Sequence, residues 1–157
     1  MTIDTLGIVG AGAMGSGIIE VAAKAGVSVV ARDISPEAIE AGQARVAGSL
    51  AKAVERGKLD EAARDAALAA ITWTTDLADM AGCQMVVEAA PEILELKLAI
   101  FRELDAALPD GVVIATNTSS IPIIDIAMAT GRPEWVCGIH FFNPATVMKL
   151  VEIIETQ

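Results

Sequence analysis

Leu6-Gly7-Ile8-Val9-Gly10-Ala11-Gly12-Ala13-Met14-Gly15 is the stretch that decides the architecture. A short apolar run breaks into three glycines and then into a helical pattern, with Met14, Ile18, Val21, Ala22 and Ala25 on one stripe. Each glycine has a steric task. Gly10 permits a tight turn, Gly12 lets the backbone approach a bound group, and Gly15 lets the helix lie close against the strand. The helix start presents unpaired N–H groups and a positive dipole end, which suit a pyrophosphate. Glycines also mark ordinary strand-to-helix turns, so context carries the reading. A strand of about Thr5–Val9 precedes the loop, and a helix of about Ala13–Ala25, stopped by Gly26, follows it.

Val27–Ala31 reads as the second strand, and Asp33 stands at its end, eighteen residues beyond Gly15. A carboxylate there can accept both ribose hydroxyls of an adenosine and repels a 2′-phosphate, which favours NAD over NADP. Arg32 would favour the phosphate. Adjacent strand residues face opposite ways, so only one of the two is expected to meet the ribose.

Strand-like runs alternate with helical patterns along the rest of the chain, the mark of a parallel sheet covered on both faces. Further strands are expected at Ile71–Thr74, Met85–Ala89, Val112–Thr116 and Val136–His140, with helices at about Glu92–Ala107 and Ile123–Ala129 and a last apolar run at Lys149–Ile154. The fold class is α/β, a doubly wound, mostly parallel Rossmann-type sheet. Residues 35–70 form an unusually long connection. Ser35 and Pro36 start one helix, Gly57 stops it, and Asp60 caps another, so a helical hairpin is expected to project beside the sheet. The whole chain, 1–157, reads as one domain, and its ending after a strand reads as a cut inside a longer protein.

Composition narrows the function classes. The chain is 54% apolar with a mean hydropathy of +0.54, which argues against disorder. A net charge of −10 argues against nucleic acid or an anionic membrane as partner. Cys83 and Cys137 lack paired spacing and read as buried free thiols, no Cys/His cluster offers metal ligands, and no apolar run approaches the length of a membrane span. With no export signal at the start, a cytoplasmic location is expected.

The lone histidine, His140, sits in Ile139-His140-Phe141-Phe142-Asn143-Pro144, with Glu152 twelve residues on. Histidine titrates nearest neutral pH and is the default proton acceptor for a hydroxyl. A nucleotide loop and a candidate base in one chain suggest hydride transfer coupled to proton transfer.

The loop, Val86-Val87-Glu88-Ala89, Thr116-Asn117-Thr118-Ser119-Ser120, and His140-Phe141-Phe142-Asn143-Pro144 followed by Val147-Met148-Lys149-Leu150-Val151-Glu152 together resemble the NAD-binding domain of the 3-hydroxyacyl-CoA dehydrogenases, especially the short-chain 3-hydroxybutyryl-CoA type. The resemblance covers the whole chain. It implies His140 as general base for the 3-hydroxyl, oriented by Glu152, with Ser119 on the reacting oxygen. It implies NAD held by Gly10, Ala11, Gly12, Ala13, Met14, Gly15 and Asp33, with Asn117 on the cofactor and Glu92, Lys97 and Asn143 around its nicotinamide half. The hairpin, where Ser49, Lys52, Arg56 and Lys58 concentrate polar and positive groups, would hold the coenzyme A of an acyl-CoA thioester. Family members continue into a helical second domain that builds a homodimer and closes the cleft. Its absence here is expected to spare cofactor binding, weaken turnover and leave apolar surface exposed. With the loop so near the start, no preceding hydratase-like segment is expected. Two other readings stay open: a dehydrogenase of a free hydroxy or sugar acid with the same motif, and a module that senses NAD without chemistry. The piece could also be inactive as a fragment.

Overall fold

The computed structural model describes residues 2–156. Seven strands lie in one sheet among the described residues: β1 (Thr5–Val9), β2 (Ser28–Arg32), β3 (Ile71–Thr74), β4 (Met85–Glu88), β5 (Val113–Thr116), β6 (Val136–Phe141) and β7 (Val151–Glu155). Their spatial order is β3-β2-β1-β4-β5-β6-β7. All neighbours pair in parallel except β6 and β7, which are antiparallel. The chain winds outward from β1 to β3, then returns to β1's other side at β4. That reversal opens a crevice over the carboxyl ends of the central strands.

Alternation along the strands divides the core in two. Ile8, Val87 and Ala115 face a layer with Ile18, Ile19, Val46 and Leu50, whereas Val9, Val86 and Ile114 face Phe101, Leu104 and Ile126. β4 is buried along its whole length, as a central strand covered on both faces must be. Each large side chain so buried contributes roughly 1.5–3 kcal/mol by leaving water.

The helices are α1 (Ala13–Lys24), α2 (Pro36–Glu55), α3 (Glu61–Ala69), α4 (Leu94–Ala107) and α5 (Ile123–Ala127). Ser35 Oγ accepts from the Ala38 N–H at 3.2 Å and Asp60 Oδ1 from the Ala63 N–H at 2.7 Å, so both hairpin helices start at their caps. The hairpin does not project freely beside the sheet. Gly42, Val46 and Leu50 form a buried stripe along α2, with Gly42 set against Ala11 and Trp73, so α2 packs on α1 as a second helical layer. α4 begins at Leu94, two residues later than its pattern suggests, because the backbone of Ile93 is still extended.

Candidate active site

A cleft of about 730 Å³ opens over the carboxyl ends of β1, β2, β4, β5 and β6. The glycine loop forms its floor on one side. Gly10 takes a φ of +96°, a left-handed conformation that favours glycine, and a Cβ there would stand 2.9 Å from the Ala89 carbonyl oxygen. A Cβ on Gly15 would overlap the Gly10 carbonyl oxygen, so this glycine sets how closely α1 meets β1. Around the corresponding point at Gly12 nothing lies within 4 Å. The loop therefore has open space on its Gly12 side, room for a bound group. Gly10, Gly12, Ala13 and Met14 line the cleft, while Ala11 and Gly15 lie behind it.

Asp33 borders the same cleft and is fixed before any ligand arrives. Its Oδ2 accepts from the Ala11 N–H at 2.7 Å and its Oδ1 from the Ile34 N–H at 2.7 Å. Each oxygen keeps a lone pair for a hydroxyl. Arg32 borders the cleft as well, with Nε donating to the Thr75 carbonyl at 3.3 Å, toward the end of β3. Alternation does not remove it, since Asp33 already lies beyond the end of β2. An open loop, a helix start and a pinned carboxylate at this spacing fit the pyrophosphate and adenosine ribose of a dinucleotide.

Across the cleft, side chains do the work. His140 and Glu152 are direct partners in the antiparallel β6–β7 register, so both project from the same face. His140 Nδ1 lies 2.8 Å from Glu152 Oε2. With Glu152 accepting from Nδ1–H, the neutral ring keeps its lone pair on Nε2. The Phe142 ring packs against the imidazole at a centroid distance of 4.7 Å. Asn117 ties the next strand in: its Oδ1 accepts from the Phe141 N–H at 2.9 Å, and its own N–H donates to the Glu88 carbonyl at 2.7 Å. Glu92 accepts from the Thr118 hydroxyl, from the Ser119 N–H at 3.1 Å and from the Ser120 N–H at 3.3 Å. Burial would raise the Glu92 carboxyl, but those donors and the nearby Lys97 ammonium outweigh it and hold it below the ordinary carboxylate range. Glu92, Asn117, Ser119, His140 and Asn143 thus share one cleft with the glycine loop. Among the described residues, no group of three or more His, Cys, Asp or Glu side chains is placed to hold a metal, and no helix is long and apolar enough to cross a membrane.

Residues 5–157 match the family model of the 3-hydroxyacyl-CoA dehydrogenase NAD-binding domain. The chain belongs to this family. It is 49% identical over 155 residues to a 3-hydroxybutyryl-CoA dehydrogenase of Mycobacterium tuberculosis, covering 98% of this chain and 54% of that protein. The crystal structure of M. tuberculosis FadB2 superposes with a TM-score of 0.96 at 49% identity, again with 98% and 54% covered. That of the (S)-3-hydroxybutyryl-CoA dehydrogenase PaaH1 from Ralstonia eutropha gives 0.95 at 45%, with 97% and 54% covered. The chain spans about half the length of these relatives.

In this 3-hydroxyacyl-CoA dehydrogenase domain the structure separates some residues that the sequence grouped. Lys97 is not a cleft residue: it is 0% exposed, and its ammonium lies 2.7 Å and 2.9 Å from the two oxygens of Glu88, itself 0% exposed. A charge on the first turn of an amphipathic helix looks solvated in a sequence, but this one points inward, to the end of the central strand β4. The hairpin residues also separate. Ser49 lines a smaller cavity of about 120 Å³ that meets the cleft at Ala13 and Asn143, whereas Lys52 and Arg56 stand exposed outside it. Arg45, four residues before Ser49 on the same helix face, was missed; its Nη1 donates to the Ala11 carbonyl at 3.3 Å and joins the hairpin to the loop. The i, i+4 spacing to Ser49 could have found it. Glu88 and Thr118 stand in stretches that carry the family resemblance, but only the fold reveals that they hold Lys97 and Glu92.

Proposed function

We propose that the chain carries the NAD-binding and catalytic half of an enzyme that interconverts (S)-3-hydroxyacyl-CoA and 3-ketoacyl-CoA, with 3-hydroxybutyryl-CoA and acetoacetyl-CoA as the pair. The carrying observation is the His140–Glu152 pair on the same cleft as the glycine loop. Gly12 and the start of α1 would hold the pyrophosphate of NAD, and Asp33 its adenosine ribose. Bound NAD would supply the hydride acceptor for carbon 3 of the acyl-CoA. His140 Nε2 takes the proton of the 3-hydroxyl in that step, and the reverse direction returns it to the carbonyl oxygen. Glu152 fixes the tautomer and balances the imidazolium, and the Ser119 hydroxyl donates to the reacting oxygen. Asn117, Asn143 and Glu92 surround the nicotinamide half, and Ser49, Lys52 and Arg56 receive the coenzyme A arm. Coenzyme A as the partner accords with the relatives' names.

Exposed Val147, Leu150 and Ile153 on and before β7 suit a surface covered by a further helical domain and, through it, by a homodimer. Free Cys83 and Cys137 suit a reducing, cytoplasmic setting. The test is NADH oxidation by acetoacetyl-CoA, run on this chain and on a longer protein carrying the additional domain. Faster turnover with acetoacetyl-CoA than with acetoacetate supports the reading. Equal rates would remove the coenzyme A role of Ser49, Lys52 and Arg56, and no oxidation by either protein would overturn the reaction.

A further inference from the structure

We infer that the buried Glu88–Lys97 pair is a positioning device: it ties the loop 89–92 to β4 and α4 and so sets where Glu92 stands at the nicotinamide end of the cleft. The inference rests on the reading of that cleft as a dinucleotide site.

Glu88 is saturated. Its Oε1 accepts from the Ala90 N–H at 2.6 Å and from Lys97 Nζ at 2.7 Å. Its Oε2 accepts from Lys97 Nζ at 2.9 Å and from the Thr116 hydroxyl at 2.7 Å. Lys97 also donates to the Ala90 carbonyl at 3.3 Å and lies 3.7 Å from Glu92 Oε2. The two partners therefore hold both main-chain polar groups of Ala90, Glu88 its N–H and Lys97 its C=O. Ala89, Ala90, Pro91 and Glu92 all line the cleft.

Stability alone does not explain such a pair. Removing two charges from water is costly, and well-packed apolar side chains of similar volume often serve a fold as well or better. What apolar side chains cannot do is fix the direction of an amide N–H and C=O. Glu92 is gripped from the other side by Thr118, Ser119 and Ser120. A loop released at Ala90 would thus shift Glu92 and, with it, Ser119, while the glycine loop and Asp33 stayed in place.

The variant that isolates this role replaces the whole polar cluster with apolar groups of similar size: Glu88→Leu, Lys97→Met and Thr116→Val together. Thermal melting, NADH affinity and ADP-ribose affinity are measured on variant and parent. The expected result is NADH binding weakened about tenfold, with melting temperature and ADP-ribose binding near the parent's, because ADP-ribose lacks the nicotinamide. Parental NADH affinity in the variant would overturn the inference. So would equal loss of both ligands or failure to fold, since the pair would then hold the domain rather than the loop. Amide exchange at Ala90 in the ligand-free proteins gives a second readout, expected to be slow in the parent and at least tenfold faster in the variant. Unchanged exchange overturns the tether. A parent that binds neither ligand would defeat the dinucleotide reading instead, and Ala90 exchange would still decide this one.

Discussion

The two walls of the cleft are built from different materials. On the β1–α1–β2 side the functional surface is mostly backbone, with Asp33 as its charged side chain: a positive-φ turn at Gly10, open space at Gly12 and a close approach at Gly15. On the β4–β5–β6–β7 side it is a set of side-chain networks: Glu88–Lys97–Thr116, Glu92–Thr118 and His140–Glu152. The first wall works by shape and by N–H groups that never titrate, so its failures should appear as lost affinity or lost packing. The second works through charge, orientation and proton position, so failure at His140–Glu152 should appear in rate and pH dependence, and failure at Glu88–Lys97–Thr116 in the hold on the nicotinamide end. The contrast fits a division of labour in which one wall binds through its backbone and the other positions and reacts through its side chains.

The largest test of that division is His140→Gln in a protein that carries the activity. Turnover should fall by more than about a hundredfold with NADH affinity nearly unchanged, the size expected on loss of a general base. Near-normal turnover would remove His140 as the base. A comparable fall in affinity would show that the two walls are not separate.

Within the backbone wall, Gly12→Ala and Gly15→Ala should break in opposite ways. Alanine at 15 drives Cβ into the Gly10 carbonyl and should cost about 1–3 kcal/mol by overpacking, seen as a lower melting temperature. Alanine at 12 meets no protein atom, so melting should hold while NADH affinity drops roughly tenfold. If both variants lose stability alike, the open side of Gly12 is not where a ligand approaches.

How far each wall can be read from sequence follows from what it is made of. The glycine loop, Asp33 and the caps Ser35 and Asp60 are local: their spacing is their mechanism, and the structure places them as the pattern implies. His140 and Glu152 were legible as a pair only through the family resemblance, and the β6–β7 register sets the two opposite each other. Lys97 was not. Its position on α4 looks like a solvated charge, and its true partner, Glu88, is revealed only when β4 and the helix meet. Arg45 and the packing of α2 onto α1 were hidden for the same reason, since a contact between a hairpin and a loop 34 residues away has no local signature.

Asp33→Asn probes the seam between the walls with a smaller effect. The substitution keeps the shape but removes the charge that opposes a 2′-phosphate, while Arg32 stays beside the cleft. NADPH affinity relative to NADH should rise by several-fold to tenfold, consistent with a modest change in electrostatic complementarity. An unchanged ratio would mean that Asp33 does not meet the ribose.

The smallest effect on the cleft belongs to a network on the side-chain half that serves the fold. Asp105 Oδ1 accepts from Arg132 Nε at 2.7 Å and its Oδ2 from the Gly131 N–H at 2.7 Å, while Arg132 also donates to the Leu108 and Pro109 carbonyls that end α4. The Gly131 N–H first, and then Arg132, hold the Asp105 carboxyl below its ordinary range against the opposing pull of burial. A carboxylate so depressed stabilises the fold above its unfolded pKa, near 3.8, and loses that contribution as pH falls through the lower folded value. Asp105→Asn should therefore cost roughly 1–2 kcal/mol at neutral pH, as the loss of a charge-assisted bond does, and the gap to the parent should close in acid. NADH affinity should not change at any pH. A gap that persists unchanged below that range would show that the carboxylate's charge is not what Arg132 uses, and a shift in NADH affinity would place this cluster among the networks that serve the cleft.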